Sequence, residues 1–429
     1  MSSGERRHFG PGTLAALVVA NMIGAGVFTT SGFTLADLGS PGRVLTAWVV
    51  GGAIAICGAI GYGALARRLT ESGGEYLFLA RVLHPAAGFV AGWISLIAGF
   101  TGAIAFAAHA FESYVRPADS PLPTNLIAVT AILVAVAVHA VRARLGAFGQ
   151  NGVVIGKLLI LAGFIGFAVV KWAGGSPSWP VCEPSTFSLT AFAGSLVWIS
   201  LSYSGFNAAV YVAGEARDPV RTVPAAMLKA TVAVVAIYLA LNLVFVGFVP
   251  CEDVRGRPDV ALAAASSLLG DTGAQIVRAI VAFSLLSSVS SMIMAGPRVF
   301  AKMADDGVFP AVLKFRGEVP TAAILAQAAL AILLVLVSDL RSLLGYLGLT
   351  LSLSAALTVS CLFLLRRRHG AAETPVTGSI LFPGIYVVAT LALALLAASR
   401  QPMEWLATGI TVASGLVVWW GFRRRGPRT

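Results

Sequence analysis

Long stretches without a charged residue recur along the whole 429-residue chain. Twelve windows are each at least 18 residues long, and only one of them contains a charge, that of Lys157. About 20 apolar residues suffice for a helix to cross the hydrocarbon core of a bilayer. The pattern therefore predicts twelve transmembrane helices, called spans 1 to 12, at residues 9–36, 44–66, 82–111, 120–141, 145–170, 184–214, 230–251, 279–297, 319–338, 342–365, 374–399 and 405–422.

Two of these spans carry small and polar residues near mid-membrane. Span 1 contains "IGAGVF" (23–28), and span 6 contains "SYSGF" (202–206). A glycine in a helix interior costs roughly 0.5 to 1 kcal/mol relative to alanine. Small residues also let membrane helices pack closely, which is the alternative interpretation. Because Gly26 and Gly205 lie five spans apart, we favour broken helices at matching positions of two halves.

Such a pair of breaks is typical of transporters built from inverted repeats. The sequence thus predicts an all-α polytopic membrane protein with a 5+5 inverted repeat and broken helices 1 and 6. Residues 1–429 form one transporter domain, with repeats at about 9–171 and 184–368 and additional helices at about 374–422. The apolar segment 259–271 is too short for a span, so we expect a short helix at the outer interface.

Unwound backbone inside a membrane must face a cavity or a ligand. The amides of Ala25, Gly26 and Val27 would begin the second half of span 1 and present a positive dipole end to a carboxylate. Gly24 and Gly26 would let a ligand approach the main chain. Freed carbonyls would accept from an ammonium group, and these belong to Met22, Ile23, Leu201, Ser202 and Ser204. The predicted ligand is therefore a zwitterion, whose side chain would meet Leu201, Phe206 and Phe106.

Lys157 is the other candidate for function. A lysine inside a span is costly unless it is paired or neutral, so it marks a functional site by default, although a fixed structural cation is the alternative. Ser287 and Ser291 share a face of span 8 and could bond a buried group or serve helix packing. Three further residues near the second break are candidates for gating or support, or for packing alone: Trp198, Tyr203 and Asn207.

Composition agrees with a membrane protein, since 57% of the residues are hydrophobic and 11% are charged. Of the 30 Lys and Arg residues, 21 fall on the side of the termini and 8 on the opposite side. The positive-inside rule predicts that both termini are cytoplasmic, and it explains the net charge of +11 without a nucleic-acid partner. Cys182 and Cys251 fall on the opposite side, where they could pair or lie together by chance.

Four segments resemble one known family. These are "NMIGAGVF" (21–28), "SGGEYLFLARVLHPAAGFVAGW" (72–93), "YSGFNAAVYVAGEARDPVRTVPAA" (203–226) and "GPRVFAKMADDGVFP" (296–310). Together and in this order they are similar to the permeases of the amino acid, polyamine and organocation (APC) superfamily, which have the leucine-transporter fold.

The resemblance implies uptake or exchange of amino acids by alternating access, with protons as candidate coupling ions. In sodium-independent members a lysine on the fifth helix occupies the place of a bound ion. Lys157 matches that position, and Ser287 or Ser291 would be its hydroxyl neighbours. Many members carry a bulky aromatic residue where this chain has Leu201, which changes the expected side-chain preference.

Other functions fit the sequence less well. A channel would need rings of charged residues, and an enzyme would need converging titratable groups. An amine or polyamine carrier of the same superfamily is the main alternative. It would be expected to place a carboxylate in the pocket, and we expect no Asp or Glu near the two breaks. No cofactor, metal or required protein partner is expected in this protein of the cytoplasmic membrane.

Overall fold

The computed structural model describes residues 9–117, 119–141, 150–174, 180–182, 186–305, 309–314 and 321–423. These residues are mostly helical, and their one extended pairing is an isolated bridge between Phe9 and Ala216. The α-helices are α1 (Pro11–Met22), α2 (Gly26–Leu38), α3 (Pro41–Arg68), α4 (Gly74–Val82), α5 (Pro85–Ile94), α6 (Ala103–Val115), α7 (Leu126–Val141), α8 (Gln150–Gly174), α9 (Leu189–Ser202), α10 (Pro219–Asn242), α11 (Cys251–Val254), α12 (Val260–Asp305), α13 (Thr321–Val337), α14 (Leu340–His369), α15 (Leu381–Ala397) and α16 (Pro402–Arg423).

Proline begins several of the long helices. Pro11, Pro41, Pro85 and Pro219 each occupy the first helical position of their helix. The fixed φ of proline suits that position, and its missing N–H costs nothing where no intrahelical partner exists. Helix starts are therefore encoded locally.

Seven helical stretches are long and apolar enough to cross a membrane, and the bent pair of α1 and α2 makes an eighth. Four shorter apolar helices coincide with the remaining windows, so every predicted window contains a helix. The protein is thus an all-helical polytopic membrane protein. The shorter helices are Leu126–Val138, Leu189–Ser202, Thr321–Val337 and Leu381–Ala397, and their crossing stays a prediction.

Two helix boundaries differ from the sequence-based prediction. α10 begins at Pro219, eleven residues before the seventh window, because Arg221 and Lys229 lie on its exposed side and leave the helix uninterrupted. The segment 259–271 is helical, but it continues into α12 through a kink at Gly270, where φ is +67°. A charge-free window therefore underestimates a helix whose charged residues reach the surface.

We call the side on which α1 begins the terminus side and the opposite side the far side. Phe9 bonds backbone groups of Glu215 and Arg217, which places the end of the sixth span on the terminus side. On the far side, the amide of Gly256 bonds the carbonyl of Gly32 in α2. Between them, α1 and α2 pack against α9, α10 and α3, so the first span lies at the centre of the bundle.

A disulfide joins Cys182 to Cys251 on the far side. It ties the segment after α8 to the short helix α11, across 69 residues of sequence. The open question of whether these cysteines pair is thereby answered. The other two cysteines, Cys57 and Cys361, are free and buried.

Replacing Cys251 with Ser should lower the free energy of unfolding by about 2 to 4 kcal/mol, because the bond restricts the unfolded chain. The measurement is thermal unfolding of the purified protein with and without a reducing agent. A Cys57→Ala/Cys361→Ala double variant is the control and should respond to reduction as the native protein does. Equal midpoints for the native protein and the Cys251→Ser variant would contradict the stabilising role.

Candidate functional site

The first break separates α1 from α2 within span 1. α1 ends at Met22, α2 begins at Gly26, and the two axes differ by 41°. The chain leaves the helical path at Ile23, whose ψ is 83°. The freed backbone groups lie deep in the bundle, where they need partners other than water.

Two side chains from other spans bond the carbonyls at this break. Nζ of Lys157 donates to the carbonyl oxygen of Ile23 over 2.6 Å. The hydroxyl of Tyr238 donates to the carbonyl oxygen of Met22, also over 2.6 Å. These are carbonyls that the sequence assigns to a substrate ammonium group. A carbonyl oxygen has two lone pairs, so the Ile23 carbonyl keeps one acceptor position for a ligand. The Met22 carbonyl does not, because the amide of Gly24 also donates to it, over 2.9 Å.

Lys157 therefore lies against span 1, half-buried on α8. Among the described residues, no hydrogen bond joins it to Ser287 or Ser291, which lie half-buried on α12. Tyr238 is the partner that sequence reasoning missed. Its signal was weak, since one tyrosine in an apolar window is also an ordinary packing residue.

The second break follows α9, which ends at Ser202. Gly205 has φ of +95°, a left-handed conformation that glycine tolerates without strain. The amide of Ser204 bonds the carbonyl of Leu201 over 3.0 Å, so that predicted acceptor already holds one protein donor. The chain then continues as a 3₁₀ helix over Ala208–Glu215.

The glycine of each break packs against the helix that precedes the other break. A Cβ on Gly26 would lie 2.8 Å from Cα of Ser202, the last residue of α9. A Cβ on Gly205 would lie 2.8 Å from the carbonyl oxygen of Asn21, in the last turn of α1. The Ser202 hydroxyl also bonds that of Thr30 on α2 over 3.0 Å. Both breaks therefore meet at one place, and each requires glycine for that contact.

Gly24 differs from Gly26. A Cβ on Gly24 would meet no heavy atom within 4 Å, apart from its own neighbouring chain. Space therefore exists beside the backbone of the first break, where the sequence places a ligand. The two glycines have different tasks, since Gly26 provides helix contact and Gly24 borders open space.

An aromatic cluster supports the breaks from behind. It consists of Trp48 on α3, Tyr203 at the second break and Tyr238 on α10, with ring centroids 5.3 to 5.6 Å apart. The hydroxyl of Tyr203 donates to the carbonyl of Trp48, and Nε1 of Trp48 donates to Ser31 on α2. Tyr203 is fully buried in this cluster, and its role in gating or support stays a prediction.

The candidate side-chain pocket is only partly assembled. Phe206 is buried between the rings of Tyr62 and Tyr386, with centroids 5.6 and 6.1 Å away. Leu201 is half-buried, whereas Phe106 is buried in α6. The structure thus gives Phe206 an aromatic surrounding that the sequence did not reveal.

Trp198 lies beneath an ion pair on the far side. The guanidinium carbon of Arg341 lies 4.8 Å from the Trp198 ring centroid and 6.0 Å from that of Phe33. Arg341 also bonds Asp37 at the end of α2 over 2.5 Å. We call Phe33, Asp37, Trp198 and Arg341 the far-side closure. Sequence reasoning missed both charged members, although they lie just outside the first and tenth windows.

A buried carboxylate lies at the second break, contrary to the sequence-based expectation. Oε1 of Glu75 accepts from the Asn207 amide over 3.1 Å, and Glu75 is only 6% exposed. The expectation was wrong because Glu75 is 132 residues from Asn207 and lies between the second and third charge-free windows, outside both. Asn207, a predicted support residue, is thus in contact with a group that only the fold brings there.

A large cavity elsewhere does not suit a zwitterion. It has a volume of about 370 Å³ and lies between α8, α10 and α12. Its walls are apolar side chains, with Thr272 as the one hydroxyl among them. Burial of an ammonium or carboxylate group without partners is strongly unfavourable. The breaks, with their carbonyls and helix terminus, therefore remain the better candidate site.

Two broken spans that meet inside an all-helical membrane protein are typical of a membrane transport protein. A sequence model described as "Amino acid permease" matches residues 9–422, nearly the whole chain. The chain belongs to this amino acid permease family, and the resemblance to the APC superfamily is confirmed.

Three relatives show the range of the similarity. The chain is 28% identical over 403 residues to "Large neutral amino acids transporter small subunit 2" of Rattus norvegicus, which covers 89% of this chain and 74% of the relative. It is 25% identical over 421 residues to "b(0,+)-type amino acid transporter 1" of Mus musculus, covering 95% and 86%. It is 23% identical over 435 residues to "Serine/threonine exchanger SteT" of Bacillus subtilis (strain 168), covering 99% and 98%.

The two glycines of the first break should respond differently to alanine. Gly26→Ala places a methyl group 2.6 Å from Oγ of Ser202, so the two breaks must separate. The free energy of unfolding should fall by about 1 to 3 kcal/mol. Gly24→Ala meets no neighbour and should keep the native unfolding temperature while weakening ligand binding. Thermal unfolding of both variants checks this, and equal destabilisation would disprove the division of tasks.

Proposed function

We propose that this protein carries amino acids across the cytoplasmic membrane by alternating access, without sodium. The contact between the two breaks is the observation on which the proposal rests. It brings a helix N-terminus, unwound carbonyls and the space beside Gly24 to one place near the centre of the bundle. The names of all three relatives describe transport or exchange of amino acids, which supports this substrate class.

The proposed architecture has twelve spans in two inverted repeats, at about 9–171 and 184–368. The reciprocal packing of Gly26 on Ser202 and of Gly205 on Asn21 supports it, because two elements related by a twofold axis contact each other in equivalent ways. Alternating access then follows from movement of one repeat-derived bundle against the other around the site.

Both termini are proposed to be cytoplasmic. Lys and Arg are concentrated on the terminus side, as the positive-inside rule requires for a cytoplasmic face. The disulfide gives independent support, because it lies on the far side and disulfides persist in oxidising compartments outside the cytoplasm.

The head group of the substrate is proposed to bind at the first break. The amides of Ala25, Gly26 and Val27 begin α2, where N–H groups lack intrahelical partners and the helix dipole favours a carboxylate. The remaining lone pair of the Ile23 carbonyl accepts from the ammonium group, whereas both lone pairs of the Met22 carbonyl already have protein donors. Ser202 and Ser204 complete the polar wall, and Phe206 and Leu201 meet the side chain.

Sodium independence is proposed from Lys157. Its ammonium group bonds the Ile23 carbonyl at the first break, where a sodium-coupled protein could bind a sodium ion. The lysine thus supplies the positive charge that a bound cation would otherwise provide. Exchange of one amino acid for another, or proton symport, would drive transport. The far-side closure shields the site from the opposite face, with Trp198 beneath Arg341.

An amine or polyamine carrier remains the second candidate, and Glu75 is the observation that favours it. Its carboxylate lies at the second break, although three protein donors already bond it. A screen of ligand binding separates the two candidates.

Amino acids should raise the unfolding temperature of the purified protein, whereas amines without a carboxylate should not. A ligand at one hundred times its Kd adds about 2.7 kcal/mol to the free energy of unfolding. Lys171→Met, at the exposed end of α8, is the control and should keep this response. If only amines stabilised the protein, the carboxylate site at α2 would be disproved.

Uptake of a stabilising amino acid into liposomes that contain this chain alone should be equal with and without sodium. Lys157→Met removes the bond to Ile23 and should slow transport by at least about tenfold, because hydrogen bonds to charged groups contribute roughly 1.5 to 3 kcal/mol. Lys171→Met, at the end of α8, is the matched control. Sodium-driven accumulation by the native chain would refute sodium independence, and inactivity of the chain alone would indicate a required partner.

A further inference from the structure

Glu75 is a buried carboxylate that belongs to no membrane span. It lies in α4, the short helix between the second and third spans, on the terminus side. The amide of Gly214 bonds Ser72 nearby, so α4 is held against the segment that follows the second break. The side chain of Glu75 is 6% exposed and points into the bundle.

Three donors from three different elements bond this carboxylate. Oε1 accepts from the hydroxyl of Tyr62 on α3 over 2.5 Å and from the amide of Asn207 over 3.1 Å. Oε2 accepts from the hydroxyl of Ser354 on α14 over 2.9 Å. Glu75 thereby joins α3, α4, α14 and the second break at a single point.

All three donors are neutral, and no ion pair among the described residues compensates the burial of the charge. Burial raises the pKa of the Glu75 carboxyl, and the three hydrogen bonds oppose that rise. A buried carboxylate is unfavourable unless its oxygen atoms are bonded. The arrangement is therefore stable only while all these elements stay together.

We propose that Glu75 is a positioning residue that locks the terminus side of the site in its closed arrangement. The inference rests on the proposed alternating access. With Tyr62, Asn207 and Ser354 in place, the second break is held against α3 and α14, and the path from Phe206 to the terminus side is shut. Together, these four residues form the terminus-side lock.

In this proposal, opening of the terminus side separates some of the four residues, because their bonds join four different elements. Water then enters and solvates the carboxylate in place of its protein donors. The Glu75 carboxylate has protein donors when the lock is closed and water donors when the lock is open. In an intermediate arrangement it would lack hydrogen-bond partners. Such a group favours two discrete arrangements over a continuum, as alternating access requires.

The two sides of the site are thus closed by different chemistry. On the far side, the pair between Asp37 and Arg341 is partly exposed, with side-chain exposures of 17% and 49%. On the terminus side, the lock is buried and contains one carboxylate with neutral donors. Exposed ion pairs contribute little, whereas loss of one partner of a buried charge is costly.

Labelling of an introduced cysteine tests the lock directly. The full-length protein carries Cys57→Ala and Cys361→Ala, and Ala213→Cys is the reporter, because Ala213 is 1% exposed in the 3₁₀ segment after the break. Glu75→Ala should raise the rate of maleimide labelling by at least about tenfold, since hydrogen bonds to a charged group shift an equilibrium by that order. Asn207→Ala and Ser354→Ala should each give smaller increases.

Two further variants separate a lock from a general loss of stability. Glu75→Gln keeps the size and one carbonyl acceptor, so its labelling rate should fall between the native rate and that of Glu75→Ala. Glu71 lies just before α4 and forms an exposed ion pair with Arg81. Glu71→Ala removes that carboxylate, and this variant should label at the native rate. Each variant is first checked for a single monodisperse species, and Asn207→Ala replaces Glu75→Ala if the latter fails to fold.

Native labelling rates in folded Glu75→Ala and Asn207→Ala would overturn the lock. The assay contains no substrate, so its outcome is independent of which ligand the protein carries. If no amino acid were bound or transported while the lock variants still labelled faster, the proposed function would fail and the lock would stand.

Discussion

The structure depends on one close contact between backbones, in which each broken span packs its glycine against the other. Gly26 contacts Ser202, and Gly205 contacts Asn21, at distances that leave no room for a side chain. Helices that approach this closely in a membrane gain packing energy that a hydrophobic driving force cannot supply there. The contact places the two unwound segments together, and the candidate site is the space that they share.

A broken helix inside a membrane exposes polar backbone groups, so the rest of the bundle must supply partners for them. Lys157 and Tyr238 do this for the first break, each from a different span. Asn207, in the second break, bonds Glu75, which two further helices also hold. These polar residues tie the unwound segments to the surrounding helices, and this explains their presence among the buried residues of the bundle.

Much of the fold follows from local pattern. The charge-free windows each contain a helix, and the interruptions at 23–28 and 202–206 coincide with real breaks. Helix boundaries follow less directly from the pattern, since α10 begins earlier than its window because its charged residues lie on the exposed side. The partners at the breaks could not be predicted. Tyr238 and Glu75 are 216 and 132 residues from the groups they bond, and periodicity reports only on a residue's own helix.

The sequence by itself determined that this chain lies in a membrane, that two of its helices break, and that it belongs with amino acid permeases. Those features depend on composition, on glycine and on short motifs, all of which are local. The tertiary structure alone decided that Gly26 serves helix contact whereas Gly24 borders open space, and that a carboxylate lies at the second break. The reason is physical: the environment of a residue in a bundle is set by helices remote in sequence, and their packing is not written in any single segment.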